Sequence, residues 1–483
     1  MGEFAGYLPG FSNDQVEWQA LNLGPESSPV QVSVPVLSET QMIALCERVK
    51  LSAADYLKSR SVTDIIEIID CTIARLLNRD DFFRLKAEKL LPVVTGYDPE
   101  MIRLALTQYL KTFRKPELTR FLTEDFPNPQ ILDSFQPLIK GGFGRAFGPN
   151  LLAHIWAGNV PGLAVWSLVA GLLVKAGSVG KVSSAEPLFA GWFANALAET
   201  EPEIASCFAI VWWKGGDKIQ EQSLFARADA VLAYGSTKTL GDIRDSLPVS
   251  TRFLGHGHKV SFGIVSAAAL TTRKAKATAR LAAHDITMFD QQGCYSPQNF
   301  YVERGAQVSP REFAGYLAHE LACFEEKYPR RVLTPAESRD LAKWRQNEEL
   351  KTLSDAEIEV LGDAEGAWVV VYYNDSVDLS PSGLNRTIKV VSVDTLMQVP
   401  SHVQPYKDVL QTVGIAATPE ELHLMAKALG AVGVTRVSGL GHMSSPEAGW
   451  HHDGRFNLID LVTITEIEGS AETASETLAP YLD

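Results

Sequence analysis

Between residues 150 and 236 the chain alternates short apolar runs with longer segments of helical period, and no other feature constrains the fold so tightly. LLAHIWA (151–157), CFAIVWW (207–213) and DAVLAYGS (229–236) read as strands, and SVGKVSS as a short strand with its loop. LAVWSLVAGLLVKA (163–176), PLFAGWFANALAE (187–199) and IQEQSLFARA (219–228) read as helices between them. Strands separated by helices of this length run parallel, because the crossover returns the chain to the same edge. The expected fold class is therefore α/β, with helices on both faces of the sheet and ligands taken at the carboxyl ends of its strands. The pattern resumes after 259 with KVSFGIV, an alanine-rich helix, NFYVERG (299–305) and a helix over 309–328. WVVVYYN (368–374) and TIKVVSV (387–393) follow, so a second α/β domain is expected. Residues 38–125 carry helix signals, with Asp98-Pro99-Glu100 opening IRLALTQYLKTF.

A chain of 483 residues exceeds one ordinary core and implies two or three domains. Its net charge of −14 argues against nucleic acid as the main partner, since phosphate binding needs a basic face. Five cysteines, widely spaced and without a CxxC pair, suit a reducing cytoplasm rather than a disulfide scaffold. The N-terminus shows no basic region followed by an apolar one, so no secretory signal is read there. Residues 151–180 are apolar, but Asn159-Val160-Pro161-Gly162 interrupts them, and about twelve apolar residues before Lys175 are too few to span a membrane. The glycines of GGFGRAFG (141–148) come near a dinucleotide-binding spacing, yet a strand follows them where a helix is required. The segment reads as a loop entering the first strand.

Four places carry candidate chemistry. Asn159, in AGNVPG, can donate its amide to a developing oxyanion or can cap the helix that follows. Lys181 closes a short strand, where it is either solvated or within reach of a cofactor ribose or phosphate. Tyr234-Gly235-Ser236-Thr237 turns directly after an apolar strand and can offer backbone and hydroxyl donors to a phosphate. Cys294 sits in FDQQGCYSPQ between Gly293 and the Ser296-Pro297 turn. The other four cysteines, in helices or at a strand start, fit the reading of a small buried hydrophobe. Cys294 is the nucleophile candidate by position.

Taken in order, these residues resemble the aldehyde dehydrogenase superfamily. Asn159 falls at the family's oxyanion asparagine, Lys181 at its cofactor lysine, Gly235 and Ser236 at its pyrophosphate turn, and Cys294 at its catalytic thiol. HIWAGNVPG, RFLGHGHKVSF, DQQGCYSPQ, GLNRTIKVV, LQTVGIA and HHDGRFNL are similar to the LuxC-type acyl-CoA reductases. The resemblance implies an aldehyde dehydrogenase-like fold: a helical N-terminal region and Rossmann-type cofactor domain over 1–258, a catalytic thiol domain over 259–437, and a return to the cofactor domain over 438–483. It also implies NADPH-dependent reduction of a fatty acyl thioester, donated by coenzyme A, a carrier or another protein. The tail from 466 onward and the habit of the superfamily imply a homo-oligomer.

Two departures from the hydrolytic aldehyde dehydrogenases shape this expectation. Where they carry a glutamate that activates water, this chain has Gly255-His256-Gly257-His258-Lys259, and no acid occurs from Ser246 through His284. Slow hydrolysis then favours thioester chemistry. Where NAD-preferring relatives place a glutamate three residues after the lysine, this chain has Ser184, which a 2′-phosphate tolerates. Glu186, two residues on, can fold back to the same place. A His-x-His on a strand points both rings to one side; without a third ligand nearby no metal is expected, and His256 and His258 become candidate proton donors or packing residues. Trp450-His451-His452-Asp453 reads as structural. The cations Arg252, Lys259, Arg273, Lys274, Lys276 and Arg280 form either a solvated helix face or an attraction for coenzyme phosphates or an acidic carrier. An oxidative coenzyme A-acylating dehydrogenase and a non-redox acyl carrier using Cys294 are the alternatives.

Overall fold

The computed structural model describes residues 2–25 and 29–480, so the last three residues of the tail lie outside it. The chain opens with three strands, β1 (Gly2–Phe4), β2 (Glu17–Leu23) and β3 (Val30–Val36), in the order β1-β3-β2. The helix signals become α1 (Glu39–Asp55), α2 (Val62–Leu77), α3 (Phe82–Thr95), α4 (Pro99–Lys111) and α5 (Lys115–Asp125). Local chemistry starts them: Ser38 and Ser61 form capping boxes, and Asp98 accepts from the Glu100 and Met101 amides ahead of Pro99. Two short strands follow, β4 (Gln136–Pro137) and β5 (Phe143–Phe147).

The first large sheet is built by β6 (Leu151–Ile155), α6 (Leu163–Leu173), β7 (Gly177–Lys181), α7 (Phe189–Thr200), β8 (Phe208–Val211), α8 (Lys218–Phe225), β9 (Ala230–Tyr234), α9 (Thr237–Ser246) and β10 (Arg252–His256). Its five strands are parallel in the order β10-β9-β6-β7-β8. Both faces of its central strands are covered, which is why β6, β8 and β9 are fully buried and mostly apolar, whereas the edge strand β10 is largely accessible. Leu152 packs with α2 to α7 on one side, while Leu151 and Ala153 pack with α1 and α8 on the other. The chain steps from β6 to β8, then crosses back to β9, so the strand order reverses between β6 and β9. That crevice is where open parallel sheets take ligands.

The second sheet comprises β11 (Val260–Val265), α10 (Ala275–Thr287), β12 (Pro297–Glu303), α11 (Pro310–Lys327), α12 (Pro335–Thr352), β13 (Ile358–Leu361), β14 (Val369–Tyr373), β15 (Thr387–Val393), α13 (Val399–Val403), β16 (Leu410–Ala416), α14 (Pro419–Ala431) and β17 (Arg436–Gly439). Its seven strands run β13-β14-β15-β12-β11-β16-β17, and only β13 is antiparallel to its neighbour. The chain ends in β18 (Thr463–Ile467) and α15 (Gly469–Glu476).

Two expectations need correction here. GGFGRAFG is not a loop: β5 runs through it, antiparallel to β4 and to β18. Its main partner lies more than three hundred residues away in sequence, so nothing local announces the strand. The N-terminal region is not wholly helical either, since a three-stranded sheet precedes α1. No described helix is long and apolar enough to cross a membrane; residues 151–180 form β6, a turn, α6 and β7.

Candidate active site

The carboxyl edge of the first sheet meets the amino edge of the second, because β10 ends at His256 and β11 begins at Val260. Cys294 lies three residues before β12, on that amino edge rather than at a carboxyl end. Ser261, near the start of β11, donates its hydroxyl to the Cys294 carbonyl at 2.8 Å. Gln411, near the start of β16, lies beside the thiol and counters the rise that burial imposes on it, while its side-chain oxygen is buried without a partner. From the first sheet comes Asn159, whose Nδ2 donates to the Gln292 carbonyl at 2.8 Å. Asn159 does not cap α6; Gly162 opens that helix at φ 92°, a left-handed conformation that suits glycine. The Tyr97 hydroxyl donates to the Asn159 carbonyl at 2.9 Å and fixes the turn from the N-terminal helices.

Burial pushes the Cys294 thiol up to about 11; Gln411 and the distant Arg436 act against that rise, and the Asp453 carboxylate adds to it. Asp453 belongs to the Trp450–Asp453 segment that reads as structural in the sequence, but the fold brings it to the thiol. Its Oδ1 accepts from Gln411 Nε2 at 2.7 Å and its Oδ2 from His256 Nδ1 at 2.9 Å. Burial alone would raise this carboxyl, but the His256 bond, the His452 ring and Gln411 outweigh it and hold the group far below the carboxylate range. An ionised carboxylate only accepts, so the proton of His256 sits on Nδ1 and Nε2 is left free. The acid missing from the sequence around GHGHK is thus present in space. Both its oxygens are committed, which leaves it poorly placed to activate a water.

The His-x-His pair separates. His256 ends β10, half-buried, whereas His258 lies past the strand and is exposed, so the two rings do not share a strand face. A third ligand does stand beside His256: His452, Asp453 and His256 place donor atoms within 4.8 Å of one another. The two rings stack at 4.1 Å with planes 8° apart. Lone pairs in two such parallel planes do not converge on one ion, so the cluster fits a hydrogen-bonded stack better than a metal. Tyr234 also stacks near both rings, at 4.9 Å from His256 and 6.1 Å from His452. Burial, together with the neighbouring His256, lowers His452 to about 3 and keeps it neutral.

Lys181, Ser184, Gly235 and Ser236 gather at the carboxyl edge of the first sheet. Gly235 donates its amide to the His256 carbonyl at 3.2 Å, and Ser236 caps α9 by accepting from the Thr239 amide. Among the described residues the Thr237 and Lys238 amides meet no protein acceptor, as expected of a helix start open to an anion. Lys181 is partly buried, which lowers its ammonium, while Glu221 on α8 acts the other way. Ser184 is exposed and accepts from Trp212 Nε1 at 3.0 Å. Glu186 does not fold back toward the ribose position. It turns inward, buried, and accepts from the Leu188 and Phe189 amides at the start of α7.

Of the remaining cysteines, Cys46 and Cys207 are buried, but Cys71 and Cys323 are exposed, which corrects the reading of all four as core fillers. Each sits on the outer face of an amphipathic helix, where apolar spacing predicts burial poorly. On α10, Ala275, Ala279 and Ala283 face inward as the spacing requires, while Lys276 and Arg280 on the helix and Arg273 and Lys274 just before it are exposed. Gln411, His452 and Asp453 are the site residues that sequence reasoning missed. Their one signal in the sequence is their presence in LQTVGIA and HHDGRFNL, two segments that carry the family resemblance but no chemical motif.

Residues 57–464 match the family described as acyl-CoA reductase (LuxC). The chain belongs to this family. The long-chain acyl-protein thioester reductase of Photorhabdus luminescens is 25% identical over 472 residues, covering 96% of this chain and 92% of that protein. Among solved structures, the aldehyde dehydrogenase KauB from Pseudomonas aeruginosa superposes with a TM-score of 0.74 at 13% identity, over 96% of each chain. The NADP-dependent glyceraldehyde-3-phosphate dehydrogenase from Bacillus halodurans, complexed with NADP, gives 0.70 at 11% identity, over 96% of this chain and 99% of its own. The family's fold is therefore that of the aldehyde dehydrogenases.

Proposed function

We propose that this member of the acyl-CoA reductase family reduces a fatty acyl thioester to the aldehyde, with NADPH, through an acyl-cysteine on Cys294. The observation that carries the reading is the convergence of Cys294, the Asn159 amide and the Asp453–His256 pair on one cleft between the two sheets. Cys294 attacks the thioester carbon and the donor thiol departs. Asn159 Nδ2, two residues from the thiol through Gln292, and the Cys294 amide stabilise the oxyanion. His256, oriented by Asp453, handles the proton taken up in each turnover; His258, exposed and beyond the strand, is the weaker candidate for that role. A small pocket beside His256, lined by apolar Trp166, Leu232, Leu254 and Phe456 and by polar His452, Arg455 and Asn457, has a volume of about 20 Å³, room for about one water.

The residues at the carboxyl edge of the first sheet fit a nicotinamide dinucleotide. The start of α9 with Gly235 and Ser236 would hold its pyrophosphate, and Lys181 with Ser184 its adenosine ribose. The bound cofactor supplies the hydride. With Glu186 turned inward, a 2′-phosphate beside Ser184 meets no carboxylate from that segment, which supports NADPH. The edge strand β18, exposed along most of its length, supports self-association into a homo-oligomer.

The test is oxidation of NADPH, followed by its absorbance, with acyl-CoAs of several chain lengths and with an acylated protein donor. Thioester-dependent oxidation with release of aldehyde is expected. Acylation of Cys294 without oxidation would instead identify a non-redox acyl carrier, and activity confined to aldehyde plus oxidised cofactor an oxidative dehydrogenase.

A further inference from the structure

Backbone strain in this protein is concentrated around the thiol. Eight non-glycine residues among those described have positive φ. Phe289, Asp290 and Gln291 (48°, 47° and 66°) form one run directly before the Cys294 loop, and Leu384, Asn385 and Arg386 (52°, 51° and 70°) form another. Asp453 (55°) is a seventh at the site, and only Lys175 lies elsewhere. Left-handed backbone costs an L-residue about 1–2 kcal/mol, so six in two consecutive runs persist only where surrounding bonds outweigh the strain.

One bond joins the two runs directly, and the residues that immediately follow each run supply the others. Asp290 Oδ1 accepts from Arg386 Nε at 2.8 Å, with both side chains sealed from solvent. Gln291 donates to the Thr387 carbonyl at 2.8 Å and accepts from the Thr387 amide at 3.0 Å. Gln292 Nε2 donates to Asn385 Oδ1 at 2.9 Å, and Arg331 donates to the same oxygen at 3.2 Å. The main-chain carbonyl of Gln292 is the acceptor that holds Asn159. One residue therefore joins the second turn to the proposed oxyanion donor, two positions before the thiol.

We propose that the Leu384–Arg386 turn positions the nucleophile: Asn385, acting through Gln292, sets Cys294 and Asn159 in register with each other. This role rests on the reading of Cys294 as the acylated thiol. Asn385 touches no reacting atom and is a positioning residue, as is Gln292. The strain of the turn is tolerated because an ordinary right-handed turn would point Asn385 and Arg386 away from the segment they hold.

The test compares Asn385→Ala, Asn385→Asp and Asn385→Gly in the full chain. The readouts are the single-turnover rate of Cys294 acylation by an acyl-CoA (by mass), the KM for that substrate, and thermal unfolding. Asn385→Ala is expected to slow acylation at least tenfold while leaving KM within about twofold. Asn385→Asp keeps the acceptor oxygen and is expected to return to within about threefold of the parent. Asn385→Gly relieves the strain without restoring the acceptor, so it should unfold no earlier than Asn385→Ala yet acylate as slowly. A parent-like rate for Asn385→Ala, or recovery in Asn385→Gly, overturns the proposal. If Asn385→Ala fails to fold, Gln292→Met removes the same bond from its other end; a tenfold loss supports the proposal and a parent-like rate overturns it. Absence of acyl on Cys294 in the parent would sink the nucleophile reading itself, an outcome distinct from these.

Discussion

The two walls of the cleft are assembled by opposite means. On the wall proposed to hold the cofactor, Ser236 caps α9, Glu186 caps the start of α7, and Lys181 simply ends a parallel strand. On the thiol wall, Cys294 follows three left-handed residues and depends on Asp290–Arg386, Gln292–Asn385 and Gln411–Asp453, each spanning more than forty residues of sequence. The first wall is made of local, relaxed elements that would form in many proteins. The second is strained and held by distant partners. A surface that binds a phosphate tolerates small shifts, whereas a nucleophile displaced by about 1 Å from its carbonyl loses much of its advantage. The difference follows from what each wall has to hold still.

Substitutions on either wall can break this contrast. The largest effect is expected for Cys294→Ala, which should reduce thioester-dependent NADPH oxidation at least about a thousandfold, measured with the parent's preferred acyl-CoA. Arg386→Met comes next on the same wall. It leaves Asp290 buried without its partner and should lower unfolding stability by about 3–5 kcal/mol in urea titrations. The matching change on the other wall, Ser236→Ala, should cost only about 1 kcal/mol. Equal losses for the two would erase the distinction.

Asp453→Asn should lower kcat about a hundredfold, because His256 loses the acceptor that orients it. It should also change the acid side of the stability profile. The folded carboxyl of Asp453 is depressed, so its contribution is complete above the unfolded value near pH 4 and is lost as pH falls through the folded one. The variant should therefore be less stable than the parent at neutral pH and converge on it in acid. The thiol itself titrates high: in a Cys71→Ser, Cys323→Ser background, alkylation of Cys294 by iodoacetamide should keep rising past pH 9 toward about 11. The smallest effect belongs to the relaxed wall. Ser184→Glu should lower the preference for NADPH over NADH about tenfold, with stability changed by no more than about 0.5 kcal/mol, since the side chain is exposed.

The alternation of strands and helices was legible because both periods are short. A parallel strand buried on two faces is apolar in every residue, and its crossover helix follows at once. The turns at Asn159, Lys181 and Gly235–Ser236 were legible for the same reason, each being tied to the end of a readable strand. β5 was not, since its glycine-rich run becomes a strand only when β18 pairs with it. Asp453 was not either. Its segment carries no period, and an aspartate between a histidine and a glycine has no local mark of being bonded to Gln411 and His256 near a thiol. No acid stands near GHGHK along the chain; the one beside it in space arrives from the C-terminal return.

Residue spacing alone determined that this chain is an α/β protein with two large sheets and one loop cysteine ahead of a strand, because backbone geometry repeats over two to four residues. Tertiary structure decided which groups surround that cysteine: Gln411 and Asp453 as its polar neighbours, His256 rather than His258, and the Leu384–Arg386 turn beneath it. Those choices are made by hydrogen bonds between segments far apart in sequence. Such bonds form only once the two sheets have closed on each other and shut out the water that would otherwise compete for them.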